Sequence, residues 1–243
     1  MLRLLTALAL IFAGLSAALS PAAAQEKRIA LIIGNSTYKH TVGLATPVND
    51  ATDLAASLNK FGFAVTRVTN ANGDEMRRAI DNFTVAAKRA DIALFFYAGH
   101  GIADGPNYWL IPTDGKLTSL EAVMAEKLDL QRIWEKMGNI KGASLMLLDA
   151  GRTNPFRVSQ SAGRVDAPIN GVIAFSTAPG TEPFDGKGRN SPYAAALLKH
   201  MSTKGLTVEQ VFKRVRVNVM QVTEAKQTPW ESSSLSKDIV FVR

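Results

Sequence analysis

No cysteine occurs anywhere in the 243 residues. That composition alone excludes disulfides, thiolate metal ligands and a thiol nucleophile. Histidine is nearly as scarce. His40, His100 and His200 stand far apart with no thiolate partner, so no zinc-ligand spacing is present, and no metal or other cofactor is expected. After the first twenty residues no apolar run approaches the length that spans a bilayer, and neither an internal repeat nor an interdomain linker is visible. Acidic charge is the minority, leaving a formal net charge of +7. The basic residues are spread along the chain, which suits a solvated surface and offers nucleic acid no recognisable motif.

What is present begins with an export signal. Met1-Leu2-Arg3 supplies one positive charge, Leu4 to Leu19 is almost wholly apolar, and Ser20-Pro21-Ala22-Ala23-Ala24 gives small residues at a cleavage position. Cleavage after Ala24 is expected, with residues 25–243 forming one domain in the periplasm or secreted medium, free of the membrane. A hydrophobic fraction of 47% supports a packed core and argues against disorder.

Along that body, strands and helices alternate. Arg28 to Gly34, Ala64 to Val68, Ile92 to Tyr97, Ala143 to Leu148 and Val172 to Phe175 read as strands, and Ile239 to Val242 as a sixth. Between them lie helical patterns: Leu54, Leu58 and Phe61 closed by Gly62; Asp74 to Lys88; Leu128 to Met137; and two helices starting at Pro192 and Thr207. Such alternation predicts an α/β fold with a mostly parallel sheet of about six strands covered by helices on both faces. Sites in such folds form beyond the carboxyl ends of the strands, where His100 and Asp149 fall. The Gly, Pro and Ser-rich stretches Gly151 to Asn170 and Thr177 to Asn190 are expected to be mobile loops.

Five blocks then carry a resemblance. Ile32-Ile33-Gly34-Asn35, Pro47-Val48-Asn49-Asp50-Ala51, Phe96-Tyr97-Ala98-Gly99-His100-Gly101, Leu148-Asp149-Ala150-Gly151-Arg152-Thr153-Asn154-Pro155-Phe156 and Gly188-Arg189-Asn190-Ser191-Pro192-Tyr193 resemble the bacterial caspase-like family. This is the peptidase C14 branch related to metacaspases and orthocaspases; Pro229-Trp230-Glu231-Ser232-Ser233 is similar to a later landmark. The resemblance implies a caspase-like α/β/α sandwich, with a p20-type part followed by a p10-like part. It implies that His100 is the general base and that the nucleophilic cysteine would stand two residues after Asp149. Gly151 stands there instead. Thr153 is a second departure, where the family has aspartate, and Ala98 replaces a frequent serine.

The resemblance further implies that Asp50 and Asp149 line a pocket for an Arg or Lys side chain of a peptide or protein segment. A carboxylate pair suits the planar guanidinium fork. Their plainer roles would be an N-cap for the helix through Leu54 and a brace for the loop after the fourth long strand. Tyr193 and Trp230 are either rim or core residues. With no side chain at 151, an ordinary cysteine-peptidase cycle has no nucleophile, and Thr153 and Ser144 are the nearest hydroxyls. The expectation is an exported pseudopeptidase that binds or regulates. An active endopeptidase altered only in this copy, or a hydrolase with another nucleophile, stands as the alternative.

Overall fold

The structure is a computed structural model that describes residues 26–126, 128–138, 140, 142–151, 155–156, 165–167 and 169–243. The segment expected to be an export signal, Thr153 and most of the first glycine-rich loop lie outside the described residues. The chain runs β1 (Arg28–Gly34), α1 (Pro47–Lys60), β2 (Phe63–Thr69), α2 (Gly73–Ala87), β3 (Ile92–Gly99), β4 (Gly101–Asp104) and β5 (Asn107–Leu110). It continues through α3 (Leu120–Ala125), α4 (Leu130–Gly138), β6 (Ala143–Ala150), β7 (Gly171–Phe175), α5 (Pro192–Met201), α6 (Val208–Val222) and β8 (Trp230–Ser233).

Six strands form one sheet in the order β2-β1-β3-β6-β7-β8, parallel except for β8. Every residue of β1, β3, β6 and β7 is buried, which is why these strands read as unbroken apolar runs rather than alternating ones. One face packs against Met76, Ile80 and Phe83 of α2 and Ile133 and Trp134 of α4. The other packs against Leu54 and Leu58 of α1, Leu197 of α5 and Phe212 and Val215 of α6. The result is a three-layer sandwich. Helix starts are well specified: Asn72 with Glu75 and Thr207 with Gln210 form capping boxes, and the Ser191 hydroxyl accepts from Ala194 N at 2.9 Å ahead of Pro192.

The sixth strand is not Ile239 to Val242. The sheet is completed by Trp230–Ser233, a short polar edge strand that carries little hydrophobic signal. Residues 239–242 are apolar because they pack on the α1/α6 face, where Phe241 is buried, and Val240 makes only an isolated bridge to Thr207. The β4–β5 hairpin and α3 also went unanticipated. Thr177 to Asn190 is tied down at several points: Phe184 N donates to Gln227, Asn49 donates to Arg189 O, and Arg189 and Asn190 both reach Asp53 on α1.

Candidate active site

Sheet order places the site. β1 leads to β2 on one side while β3 lies on the other, so the chain reverses direction across the sheet between β1 and β3, where a crevice opens at the carboxyl ends. The β3–β6 register pairs Ala98 with Asp149 and Gly99 with Ala150. One step further along both strands, His100 comes beside Gly151. A cavity of about 270 Å³ opens there, bordered by Asp50, Ala98, His100, Asp149, Gly151 and Asp185, with Val42 and Phe184 at its lips. All four residues singled out for the site thus line one cavity.

His100 is held through its main chain by tyrosines. Its N–H donates to the Tyr38 hydroxyl at 2.8 Å, and its carbonyl lies 2.7 Å from the Tyr97 hydroxyl and 3.1 Å from Ile111 N. Tyr108 on β5 donates to Gly151 O at 2.7 Å, fixing the neighbouring position. Burial pushes Tyr38 up to about 12 and Tyr97 well above its ordinary value, so both hydroxyls stay protonated. The flanking glycines make room for this arrangement. A Cβ at Gly99 would sit 2.5 Å from the Tyr97 hydroxyl, and one at Gly101 would overlap the Tyr108 hydroxyl. Sequence reasoning assigned these three tyrosines no role, even Tyr97 within the quoted Phe96 to Gly101 block, because each reaches the site from a different element.

The imidazole has a defined tautomer. Nε2 lies 2.8 Å from Val42 O, and a carbonyl can only accept, so Nε2 carries the proton and Nδ1 is left as the basic nitrogen. The ring leans on Tyr38 with centroids 4.6 Å apart. Nothing at 151 can receive its help. Ser144 is buried in β6, with its hydroxyl 3.4 Å from Met137 O on the α4 side. The Ser191 hydroxyl is committed to Asp149 and to the start of α5.

Gly151 is spacious. Among the described residues a Cβ there would meet only Glu182 Cγ and Gly101 O, both at an ordinary 3.7 Å, and the backbone is not in the left-handed region. Replacement by an L residue therefore requires neither a shift of neighbours nor strain.

The floor of the cavity is acidic. Asp149 Oδ2 accepts from the Ser191 hydroxyl at 2.5 Å, while Asp50 Oδ1 accepts from Ser191 N at 3.1 Å. One residue at the α5 start therefore bridges carboxylates from β6 and α1. Asp50 does not cap its helix, since α1 begins at Pro47 and Asp50 sits in the first turn. Among the described residues, Asp50 Oδ2 is buried with no hydrogen-bond partner. Burial, with the Asp149 charge adding to it, pushes Asp50 up to about 7. Burial pushes Asp149 up to about 6, against the pull of the Ser191 hydroxyl, with Asp185 adding repulsion. Sequence reasoning missed Asp185 and Glu182, which join the lining from the loop before α5. Tyr193 lies in the core and Trp230 on the edge strand; neither lines the cavity. Among the described residues, no three His, Asp or Glu side chains are grouped to hold a metal ion.

A three-layer α/β/α sandwich with a histidine at the end of β3 and an acidic cavity beside it has the layout of a caspase-type peptidase. The caspase domain model, Peptidase_C14, matches residues 27–240, and the chain belongs to that family. The human mucosa-associated lymphoid tissue lymphoma translocation protein 1 is 32% identical over 89 residues, 37% of this chain and 11% of that protein. Its Mus musculus homolog is 31% identical over 89 residues, with the same shares. The matched stretch is thus a small part of these curated relatives. Among solved structures, caspase-1 from Spodoptera frugiperda superposes with a TM-score of 0.65 at 19% identity, covering 90% of each chain, a likeness of fold.

Proposed function

We propose that the chain is an exported caspase-like pseudopeptidase, which holds a basic side chain of a peptide or protein segment without cleaving the backbone. The observation that carries this reading is a cavity in which the base and the acidic floor are both present while position 151 has no side chain. The chain has no thiol, and among the described residues no hydroxyl is free beside His100, so the base at Nδ1 has nothing there to deprotonate at the start of covalent catalysis. The binding half of the site needs no nucleophile. Asp50 and Asp149 offer a desolvated carboxylate pair, and the unpartnered Asp50 Oδ2 is an acceptor awaiting a donor.

Mature protein should therefore bind short peptides ending in Arg or Lys and leave them intact. Titration calorimetry with such peptides should give saturable binding that Asp149→Asn weakens by about tenfold, the worth of a charge-assisted hydrogen bond. Turnover that disappears in His100→Ala would overturn the inactive reading, and equal affinity for neutral and basic peptides would overturn the pocket assignment.

The leader belongs to the same proposal. The small residues Ala22-Ala23-Ala24 support removal of residues 1–24 on export, so the intact mass of the periplasmic product should correspond to a chain starting at Gln25. A membrane-bound product that retains Met1 would contradict it.

A further inference from the structure

On the far side of the α1/α5/α6 layer, helices α5 and α6 flank a second cavity of about 440 Å³. Its cationic wall is built from Lys199 and His200 at the end of α5 and from Lys213 and Arg214 on α6, and among the described residues no acidic side chain borders it. Leu206 and Val217, the latter 60% exposed, supply an apolar side.

Charge balance distinguishes this cavity from the larger groove between α2 and α4. There Arg77, Arg132 and Lys136 are each ion-paired, with Asp74 and Glu126, Asp129 and Asp81 respectively. The side chains of Lys199, Lys213 and Arg214 make no ion pair or hydrogen bond among the described residues, and the Lys199 carbonyl accepts from the Ser202 hydroxyl. Bringing cations together without counter-ions costs electrostatic energy, which an anion placed among them removes. A volume of this size suits a small molecule rather than a macromolecular surface.

We infer that the α5–α6 cavity is a binding site for a small phosphate-bearing anion, with Lys213 and Arg214 gripping the phosphate oxygens and Leu206 and Val217 receiving an apolar part of the molecule. Arginine supplies a planar fork for two oxygens, and lysine a point charge beside it. The site lies apart from the cavity at His100 and does not depend on the reading of that cavity.

His200 reports on occupancy. Burial holds its imidazole below the ordinary range, and Lys199 and Arg214 push it lower. An anion seated between those cations offsets their repulsion and raises the His200 pKa. The experiment follows the His200 ring by NMR in the mature protein, with inorganic phosphate and a phosphate monoester as probes against chloride at matched ionic strength. Expected is a saturable upward shift with both phosphates and not with chloride. Lys213→Gln and Arg214→Gln should each weaken the phosphate affinity by about tenfold, as loss of a charge-assisted bond predicts. Both side chains are exposed, so the variants should keep the wild-type spectrum elsewhere. An identical response to phosphate and chloride would mean simple screening and would overturn the site. Binding confined to vesicles of an anionic phospholipid, with no response to soluble phosphates, would also overturn it, in favour of a membrane-facing surface.

Discussion

Gly151→Cys should give a protein that reacts with Arg-based electrophiles and cleaves after basic residues. The β3–β6 register sets position 151 beside His100, and the space around Gly151 accepts a Cβ at van der Waals distance. With Nε2–H engaged by Val42 O, Nδ1 is free to draw off the new thiol proton and generate a thiolate. Removing a triad nucleophile leaves roughly a thousandfold to ten-thousandfold acceleration over water, against about a millionfold or more for a complete enzyme. Restoration should therefore raise single-turnover cleavage by at least about a hundredfold. Adding His100→Ala should cost about a hundredfold of that gain, the usual worth of a positioned base. The measurement is labelling by an arginyl halomethyl ketone alongside single-turnover cleavage in wild type, Gly151→Cys and the double variant. A folded revertant that neither labels nor cleaves would show that more than the nucleophile is missing.

Binding of basic peptides should tighten as pH rises from 5 to 8. In the free protein, burial holds Asp149 at about 6 and Asp50 at about 7, so at pH 5 both are mostly protonated. A guanidinium requires them ionised, and at pH 5 only about a tenth of a group with a pKa near 6 is charged, so affinity at pH 8 should exceed that at pH 5 by at least about tenfold. Stability of the unliganded protein runs the other way. Both folded-state values are raised above the unfolded ones, so the contribution is complete below about pH 4 and is lost as pH climbs through 6 and 7. Thermal unfolding without ligand should thus show a lower midpoint at pH 8 than at pH 5, by a few kcal/mol of stability in order of magnitude. Asp50→Asn should flatten that slope. A free protein whose midpoint rises between pH 5 and pH 8, with Asp50→Asn unchanged, would show that the carboxylates are not desolvated as the geometry requires.

Much of this fold was legible because buried parallel strands announce themselves. Ile29 to Ile33 and Ile92 to Tyr97 have no solvent face, so their apolar runs identify them without a partner. The edge strand Trp230–Ser233 defeats the same reasoning, since an edge is half solvated and its residues obey turn and surface chemistry instead. Ile239 to Val242 misled for the complementary reason: apolarity reports burial and not hydrogen-bonded pairing. At the site, the strand pattern put His100 and Asp149 at strand ends, whereas their roles and the meaning of Gly151 came from the resemblance to the caspase-like family. Asp50 required the family pattern, because nothing local says that a first-turn aspartate faces the start of α5. Asp185, Glu182 and the supporting tyrosines were invisible, as their roles depend on approaches between segments tens of residues apart in the chain.

The tyrosine hydroxyls that surround the His100 backbone make two neighbouring kinds of position behave oppositely under mutation. At Gly99 an added methyl displaces the Tyr97 and Tyr38 phenols that hold the His100 backbone, and at Gly101 it displaces the Tyr108 phenol that holds the Gly151 carbonyl, so even alanine perturbs the local structure. At Gly151 the same methyl meets its described neighbours at ordinary van der Waals distance, and the main-chain carbonyl accepts from the Tyr108 hydroxyl. Reactivity and architecture are therefore written on separate atoms of one turn. Residue 151 can take a small side chain that carries a thiol or a hydroxyl, and a change in behaviour that follows in a variant with an unaltered fold can be read as chemistry.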